Sequence, residues 1–194
     1  MKSGLSEFEP YLDFWLEGQK KGFAGNLPRE KAPDGSKFVI LRNGNLLYVD
    51  RWYGSDLGGG QTILYKLDIT EDPEKVILGT PISGKPIARL GYSGQIVRRF
   101  SVKEKEILAR TFRDIPQSDI IWKVLKSSLS QVNRERPFRG PDYFEYAGDF
   151  VYESNEEKLI SGIDGKERIY HLGRPVFVGS YDFTLIKNNL EDRL

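Results

Sequence analysis

Apolar residues in the first twenty positions recur at steps of three and four, which predicts an amphipathic helix. This stripe consists of Leu5, Phe8, Leu12 and Trp15. Ser6 followed by Glu9 resembles a capping box, so we expect the helix to begin near Ser6. A second stripe after Ser118 predicts another helix. It consists of Ile121, Trp122, Leu125, Leu129 and Val132.

Elsewhere the pattern changes to short alternating runs separated by turn residues, which is typical of antiparallel strands. These runs are 38–41, 46–49, 62–65, 87–92, 149–153, 167–172 and 175–181. Asn43-Gly44 predicts a two-residue hairpin turn, and 76–78 could lengthen a later hairpin. The segment Gly58-Gly-Gly-Gln61 predicts a flexible hairpin loop, because it lacks the Lys-Ser/Thr of a phosphate-binding loop.

Three blocks of this pattern occur twice, in the same order. Gly44-Asn-Leu-Leu-Tyr48 returns as Gly148-Asp-Phe-Val-Tyr152, the block 60–65 returns as 165–170, and the block 84–92 returns as 173–181. We therefore predict two related α+β repeats, 1–100 and 118–194, joined by a connecting helix at 101–117. Each repeat would be a helix followed by an antiparallel meander of about four strands.

A helix with one apolar stripe and a sheet with one apolar face must bury these surfaces together. We therefore expect the repeats to form one pseudo-twofold unit, since neither half is large enough to be more than marginally stable alone. The sheets could stack or join edges. The preferred arrangement is an edge-joined sheet that curls around the helices, cystatin-like or hot-dog-like by analogy.

Composition narrows the class of protein. The 194 residues include 12% aromatics, which argues against global disorder. The chain has no cysteine and a net charge of +1, which excludes disulfides and thiolate metal sites and makes a nucleic-acid partner unexpected. No apolar run approaches the ~18 residues of a membrane span, so we expect a cytoplasmic protein that does not bind membranes.

Most signatures of catalysis are missing. Gly91-Tyr-Ser-Gly94 falls one residue short of the Gly-x-Ser-x-Gly elbow, and the single histidine, His171, excludes a two-histidine metal site. The sequence therefore assigns no catalytic residue, no metal and no cofactor. Asp50 follows Tyr48 by two residues, so both would face the same side of a strand. The repeat counterpart of Asp50 is Ser154.

Tyrosines occupy matched places in the two repeats, which suits either a half-buried sheet or the wall of a cleft. Such a cleft between repeats would favour a planar or apolar ligand with an anionic group. The candidate ligand-binding residues are Tyr48, Asp50, Trp52, Tyr53, Tyr92, Arg139, Tyr152 and Tyr181.

These blocks resemble an uncharacterised prokaryotic family, a domain of unknown function whose members occur alone or behind a helix-turn-helix domain. One form of its pattern is matched by 48–50, 52–54, 58–61, 84–86 and 92–94, and a second form by 138–141, 148–152 and 161–162. The likeness spans 8–96 and 118–185, and here we expect both forms in tandem without a preceding helix-turn-helix. The resemblance implies a fold and a sensing role, and it assigns no catalytic residue.

Three hypotheses about function follow. The first is a non-enzymatic, sensor-type module that binds a small molecule or partner in the aromatic cleft. The second is a hydrolase or isomerase on a hot-dog-like scaffold that uses Asp50 or Glu153. The third is a structural protein that forms a homodimer through exposed strand edges.

Overall fold

A computed structural model describes residues 4–54, 56–67, 84–97, 118–159 and 162–186. Within these ranges the helices are α1, Leu12–Lys21, and α2, Ser118–Leu129, and two short 3-10 turns, Gly4–Glu7 and Glu9–Tyr11, precede α1. The strands are β1 Glu30–Lys31, β2 Lys37–Asn43, β3 Leu46–Gly54, β4 Leu57–Lys66, β5 Lys85–Ile96, β6 Tyr143–Tyr146, β7 Phe150–Lys158, β8 Gly162–His171 and β9 Arg174–Leu185.

All nine strands belong to one antiparallel sheet with the order β1-β2-β3-β4-β5-β9-β8-β7-β6. Strands β5 and β9 are neighbours in the middle, paired from Ala88 opposite Leu185 to Ile96 opposite Phe177. The expected α+β protein with a large antiparallel meander is therefore confirmed. The strands on either side of the β5–β9 junction join edge to edge instead of stacking as two sheets.

Both helices cover the same face of this sheet. The register places Tyr48 opposite Leu64 and Tyr152 opposite Ile169, with all four side chains on the helix-facing side. Trp15 of α1 has no exposed surface and belongs to one core cluster with Tyr48 and Leu64. A second cluster joins the buried residues of α2 to Tyr152 and Ile169. Burial of the apolar helix stripes against one sheet face is what unites the fold.

The first helix begins later than its apolar stripe predicts. The chain forms 3-10 turns around Pro10, and α1 starts at Leu12 instead of Ser6. Proline has no N–H to bond the carbonyl of residue 6, so α-helical hydrogen bonding cannot continue through this position. No side chain caps the turn that begins after Phe8.

The glycine-rich segment is a strand, so the predicted flexible loop at Gly58-Gly-Gly-Gln61 is wrong. These residues lie inside β4 and pair with both β3 and β5. A Cβ atom at Gly60 would lie 2.6 Å from the Tyr92 hydroxyl, and one at Gly59 would lie 2.9 Å from the Tyr92 carbonyl oxygen. Glycine is required here because the neighbouring strand and its tyrosine approach so closely.

Several other expectations have different outcomes. Strand β6 was not predicted, although its Tyr-Phe-Glu-Tyr sequence is rich in strand-forming aromatics. The predicted connecting helix at 101–117 and the strand at 76–78 lie outside the described residues. Within the described ranges, no helix combines the length and apolarity needed to cross a membrane.

Candidate functional site

A cavity of about 390 Å³ lies between α2 and the end of the sheet formed by β3, β4 and β5. The backbone of Gly58 and Gly59 and the ring of Tyr92 line it on the sheet side, and Trp122 and Lys126 line it on the helix side. The glycines of β4 leave this part of the sheet without side chains. Bare backbone at Gly58 and Gly59 therefore forms this part of the cavity wall.

Four aromatic side chains in the wall contact one another in sequence. Phe23 makes edge-to-face contacts with Trp52 and Trp122, at centroid distances of 5.6 and 6.3 Å. Trp122 makes a further edge contact with Phe177, at 5.8 Å. We call Trp52, Phe23, Trp122 and Phe177 the aromatic row. Edge-to-face contacts fix the rings and give the cavity a rigid apolar side.

Three basic side chains gather at one end of the aromatic row. The Arg29 guanidinium lies 5.9 Å from the Trp52 ring centroid, and Lys126 Nζ lies 5.5 Å from that of Phe23. Lys37 stands opposite Trp52 in the β2–β3 pair and also lines the cavity. We call Arg29, Lys37 and Lys126 the basic rim.

The basic rim is electrostatically uncompensated among the residues that the structure describes, where none of its three members forms an ion pair with a carboxylate. Burial lowers the pKa of Lys126, and the positive charges of Arg29 and Lys37 lower it further. The cavity wall has five basic residues and two acidic residues, Asp119 and Glu167. This end of the cavity therefore has a positive potential.

At the inner end, Arg139 is held in a buried ion pair. Its Nη2 donates to Glu167 Oε1 at 2.5 Å and its Nε to Oε2 at 3.3 Å, while the Tyr152 hydroxyl also donates to Oε2 at 3.0 Å. The guanidinium lies near the rings of Tyr92 and Tyr181, 5.1 and 5.7 Å from their centroids. Arg139 thus bridges strands on both sides of the β5–β9 junction.

Asp50 forms a second buried polar group behind the cavity wall. The hydroxyls of Tyr92 and Thr62 donate to its Oδ1 at 2.6 and 3.1 Å. The backbone of Phe23 also favours the ionised form of this carboxylate. Burial raises the pKa of Asp50 to about 6, although these hydrogen bonds and the charge of Arg139 act in the opposite direction.

The eight candidate residues divide into two groups of four. Trp52, Tyr53, Tyr92 and Arg139 line the cavity. Tyr48, Asp50, Tyr152 and Tyr181 are buried behind its wall. Tyr48 packs over Gly18 of α1, where a Cβ atom would overlap the tyrosine ring. For this second group, contact with a ligand would be indirect, through Tyr92 or Arg139.

Sequence reasoning missed all three residues of the basic rim and three of the four members of the aromatic row as site residues. Asp119, Trp122, Lys123 and Lys126 all line the cavity, and their spacing of three and four places them on one face of α2. That spacing could have identified these four residues as one helix face from the sequence alone. Phe23, Arg29 and Lys37 have no such pattern, because they come from a loop and a strand start that only tertiary folding brings together.

The carboxylates named for the enzymatic hypothesis do not share a site. Asp50 is buried, whereas Glu153 is exposed on β7. Glu153 follows Tyr152 directly and therefore points to the other face of the sheet. Within the described ranges, no group of three or more histidine or acidic side chains is arranged to hold a metal ion.

Comparison with known proteins identifies the family and nothing about its chemistry. No curated protein and no solved structure shows significant similarity to the chain. Residues 82–186 match the family described as Domain of unknown function (DUF5680). This match includes β5, α2 and the last four strands, and it covers more than half of the 194 residues. The chain therefore belongs to the DUF5680 family.

Proposed function

We propose that this protein is a sensor-type binding module that holds a small molecule in the cavity between α2 and strands β3–β5. The observation that carries the proposal is the cavity itself, about 390 Å³ in volume and lined by the aromatic row and the basic rim. Ligand sites are typically concave, largely apolar and provided with a few convergent polar groups. The size and lining of this cavity agree with that description.

Binding is proposed in preference to catalysis because the buried carboxylates near the cavity already have partners. Glu167 accepts hydrogen bonds from Arg139 and Tyr152, and Asp50 accepts them from Tyr92 and Thr62. A general base must lie within hydrogen-bond reach of its substrate. Glu167 is only 1% exposed, and Asp50 is 2% exposed and does not line the cavity. These two groups serve better as rigid supports for Tyr92 and Arg139, which line the cavity.

We further propose that the cavity lies between two related repeats with a pseudo-twofold axis. The β5–β9 register supports this. Tyr92 is opposite Tyr181, Ala88 is opposite Leu185, and Ile96 is opposite Phe177. Residues 88 and 177 correspond in the proposed repeat, as do 96 and 185, so a twofold axis at the Tyr92–Tyr181 pair exchanges the two outer pairs. Register shifts also occur between 64 and 65 in β4 and between 169 and 170 in β8, at matched points of the proposed repeat.

Screening a metabolite library by thermal shift would test the binding proposal. We expect at least one compound to raise the unfolding temperature of the wild type, with the shift strongly reduced in the Trp122→Ala variant. Tyr143→Ala, which removes an exposed aromatic ring on edge strand β6, is the matched control and should retain the shift. Absence of any hit, or equal shifts in all three proteins, would contradict the proposal.

The homodimer hypothesis concerns the edges of the sheet. The edge strands are β1, with two residues, and β6, with four. Among the described residues, strand β1 pairs only with Lys37 and Phe38 of β2, and β6 pairs only with 150–153 of β7. An edge-to-edge dimer would therefore form along β2 beyond residue 38 or along β7 beyond residue 154.

A further inference from the structure

We infer that the ligand of this cavity is a planar aromatic anion, with its ring system along the aromatic row and its anionic group at the basic rim. This inference rests on the proposed binding function and specifies the chemical class of the ligand. Two independent features of the cavity support it. One is the uncompensated charge at the rim, and the other is the shape of the apolar wall.

The positions of the rim cations point to an anion. The Arg29 and Lys126 head groups lie over Trp52 and Phe23, two rings whose centroids are 5.6 Å apart. Lys37 lies opposite Trp52 in the β2–β3 pair and also lines the cavity. Like charges held this close repel one another, and an anion between them would relieve that repulsion while accepting charge-assisted hydrogen bonds.

Arg139 is a poor candidate for the anion site despite lining the cavity. Its guanidinium makes two hydrogen bonds to Glu167 and is only 5% exposed. A ligand anion at Arg139 would compete with this buried carboxylate and would lie close to its negative charge. The rim cations have no such partner among the described residues, so the anionic group belongs at that end.

The apolar wall favours a flat ring system over a flexible aliphatic chain. Trp52, Phe23, Trp122 and Phe177 form a continuous wall of rings. Two of these rings, Trp52 of β3 and Phe177 of β9, stand on the sheet itself, and the Phe177 ring packs directly on Gly94, where a Cβ would lie 2.5 Å from it. Beside the rings, Gly58 of β4 lines the cavity with bare backbone. A planar ligand can lie against this backbone while it contacts the rings, which suits a flat ring system.

Binding of matched probes to the full chain would test this inference. Naphthoate and its neutral analogue naphthamide have the same ring system, so the ratio of their affinities measures the contribution of the anionic group to binding. Adenosine monophosphate offers an aromatic base with phosphate in place of carboxylate. We expect calorimetry at neutral pH and low salt to show naphthoate binding about tenfold or more tightly than naphthamide, a preference that added salt weakens.

Charge-removing variants identify the site of that preference. Lys37→Met combined with Lys126→Met removes two of the three rim cations and should reduce the naphthoate-to-naphthamide ratio severalfold while leaving naphthamide affinity almost unchanged. Lys20→Met, at an exposed lysine of α1, is the control and should keep the wild-type ratio. Trp122→Ala should weaken both probes. If adenosine monophosphate exceeds naphthoate in affinity, the anion is a phosphate; the reverse identifies a carboxylate.

Three results would overturn the inference. Equal affinities of wild type for naphthoate and naphthamide would reject an anionic ligand while leaving small-molecule binding intact. A naphthoate-to-naphthamide ratio that is unchanged in the double lysine variant would place the anion elsewhere. If neither probe nor adenosine monophosphate binds, the ligand class is rejected. The proposed function then fails as well only if the metabolite screen also yields no compound.

Discussion

Asp50 is a carboxylate buried at the centre of the sheet, where it receives hydroxyl hydrogen bonds from Tyr92 and Thr62. Ser154, its counterpart in the predicted repeat, contacts the Tyr181 hydroxyl at 2.9 Å. Tyr92 of β5 thus has a polar partner, Asp50, two residues after Tyr48. Tyr181 of β9 likewise has Ser154, two residues after Tyr152. Asp50 differs by carrying a charge when ionised, which makes its environment sensitive to pH.

The raised pKa of Asp50 predicts a specific pH dependence of stability. Because its pKa moves from 3.8 to about 6 on folding, the native state binds the proton more tightly. The stabilising contribution is complete below pH 3.8, is lost as pH rises through about 6, and amounts to about 3 kcal/mol. The free energy of unfolding of wild type relative to Asp50→Asn should therefore fall by that amount across this range.

Urea unfolding at several pH values, followed by tryptophan fluorescence, would measure this difference. Asp50→Asn is the suitable reference because the amide oxygen can still accept the Tyr92 and Thr62 hydrogen bonds but does not titrate. Burial also raises the pKa of Glu156. Because Glu156 is present in both proteins, its contribution to the stability difference cancels. Parallel stability profiles of wild type and variant would contradict the assignment.

Among the secondary-structure elements, β5 and β9 are decisive because they make the nine strands one sheet. Each has a neighbour on both sides, so every backbone N–H of their central residues faces a hydrogen-bonding strand. At the middle of the junction Ser93 and Ser180 are opposite each other, with their hydroxyl oxygens 3.1 Å apart on the exposed side.

Proline at this junction should disrupt the whole sheet. Ser180→Pro removes a backbone donor in a central strand, and we expect it to lower the free energy of unfolding by about 3 kcal/mol or more. Ser180→Thr is the matched control. It keeps the hydroxyl and has higher strand propensity, so its effect should stay within about 0.5 kcal/mol. Urea denaturation of both variants would test this, and a mild effect of proline would mean that the two halves are only loosely joined.

The elements themselves were largely predictable, and their exceptions have local physical causes. Alternating and helical periodicities located both helices and most strands of the described chain, because burial on one face imposes these periods. The glycine run of β4 was misassigned, since glycine usually marks a turn and the sequence does not show that Tyr92 needs the space above Gly60. The start of α1 was displaced by Pro10.

For the whole molecule, the main observation is that distant parts of the chain share one core. Trp15 near the amino terminus donates its Nε1 hydrogen bond to the carbonyl of Pro137 at 2.9 Å. Its ring also contacts Phe138 and Phe183, which stack on each other with centroids 3.8 Å apart. The Arg134 guanidinium forms ion pairs with the carboxylates of Glu9 and Asp13, each at a nitrogen-to-oxygen distance of 2.6 Å. The first helix is therefore buried by residues from both halves of the chain.

This sharing predicts that the two halves unfold together. Hydrogen exchange measured by mass spectrometry should give core amides of β3 and β7 the same opening free energy, within about 1 kcal/mol. The short edge strand β1 should exchange faster and serves as the internal reference for local opening. Protection of one half at denaturant concentrations where the other has exchanged would contradict a single cooperative unit.

The sequence alone determined both helices, most of the strands and which faces of them are apolar, because these properties depend on local spacing and composition. It also identified Trp52, Tyr53, Tyr92 and Arg139, which do line the cavity. Tertiary structure alone decided that Phe23, Arg29 and Lys37 join Lys126 and that Arg139 is committed to Glu167. The relative positions of side chains far apart in the chain depend on packing and strand register, and neither is set by any local pattern.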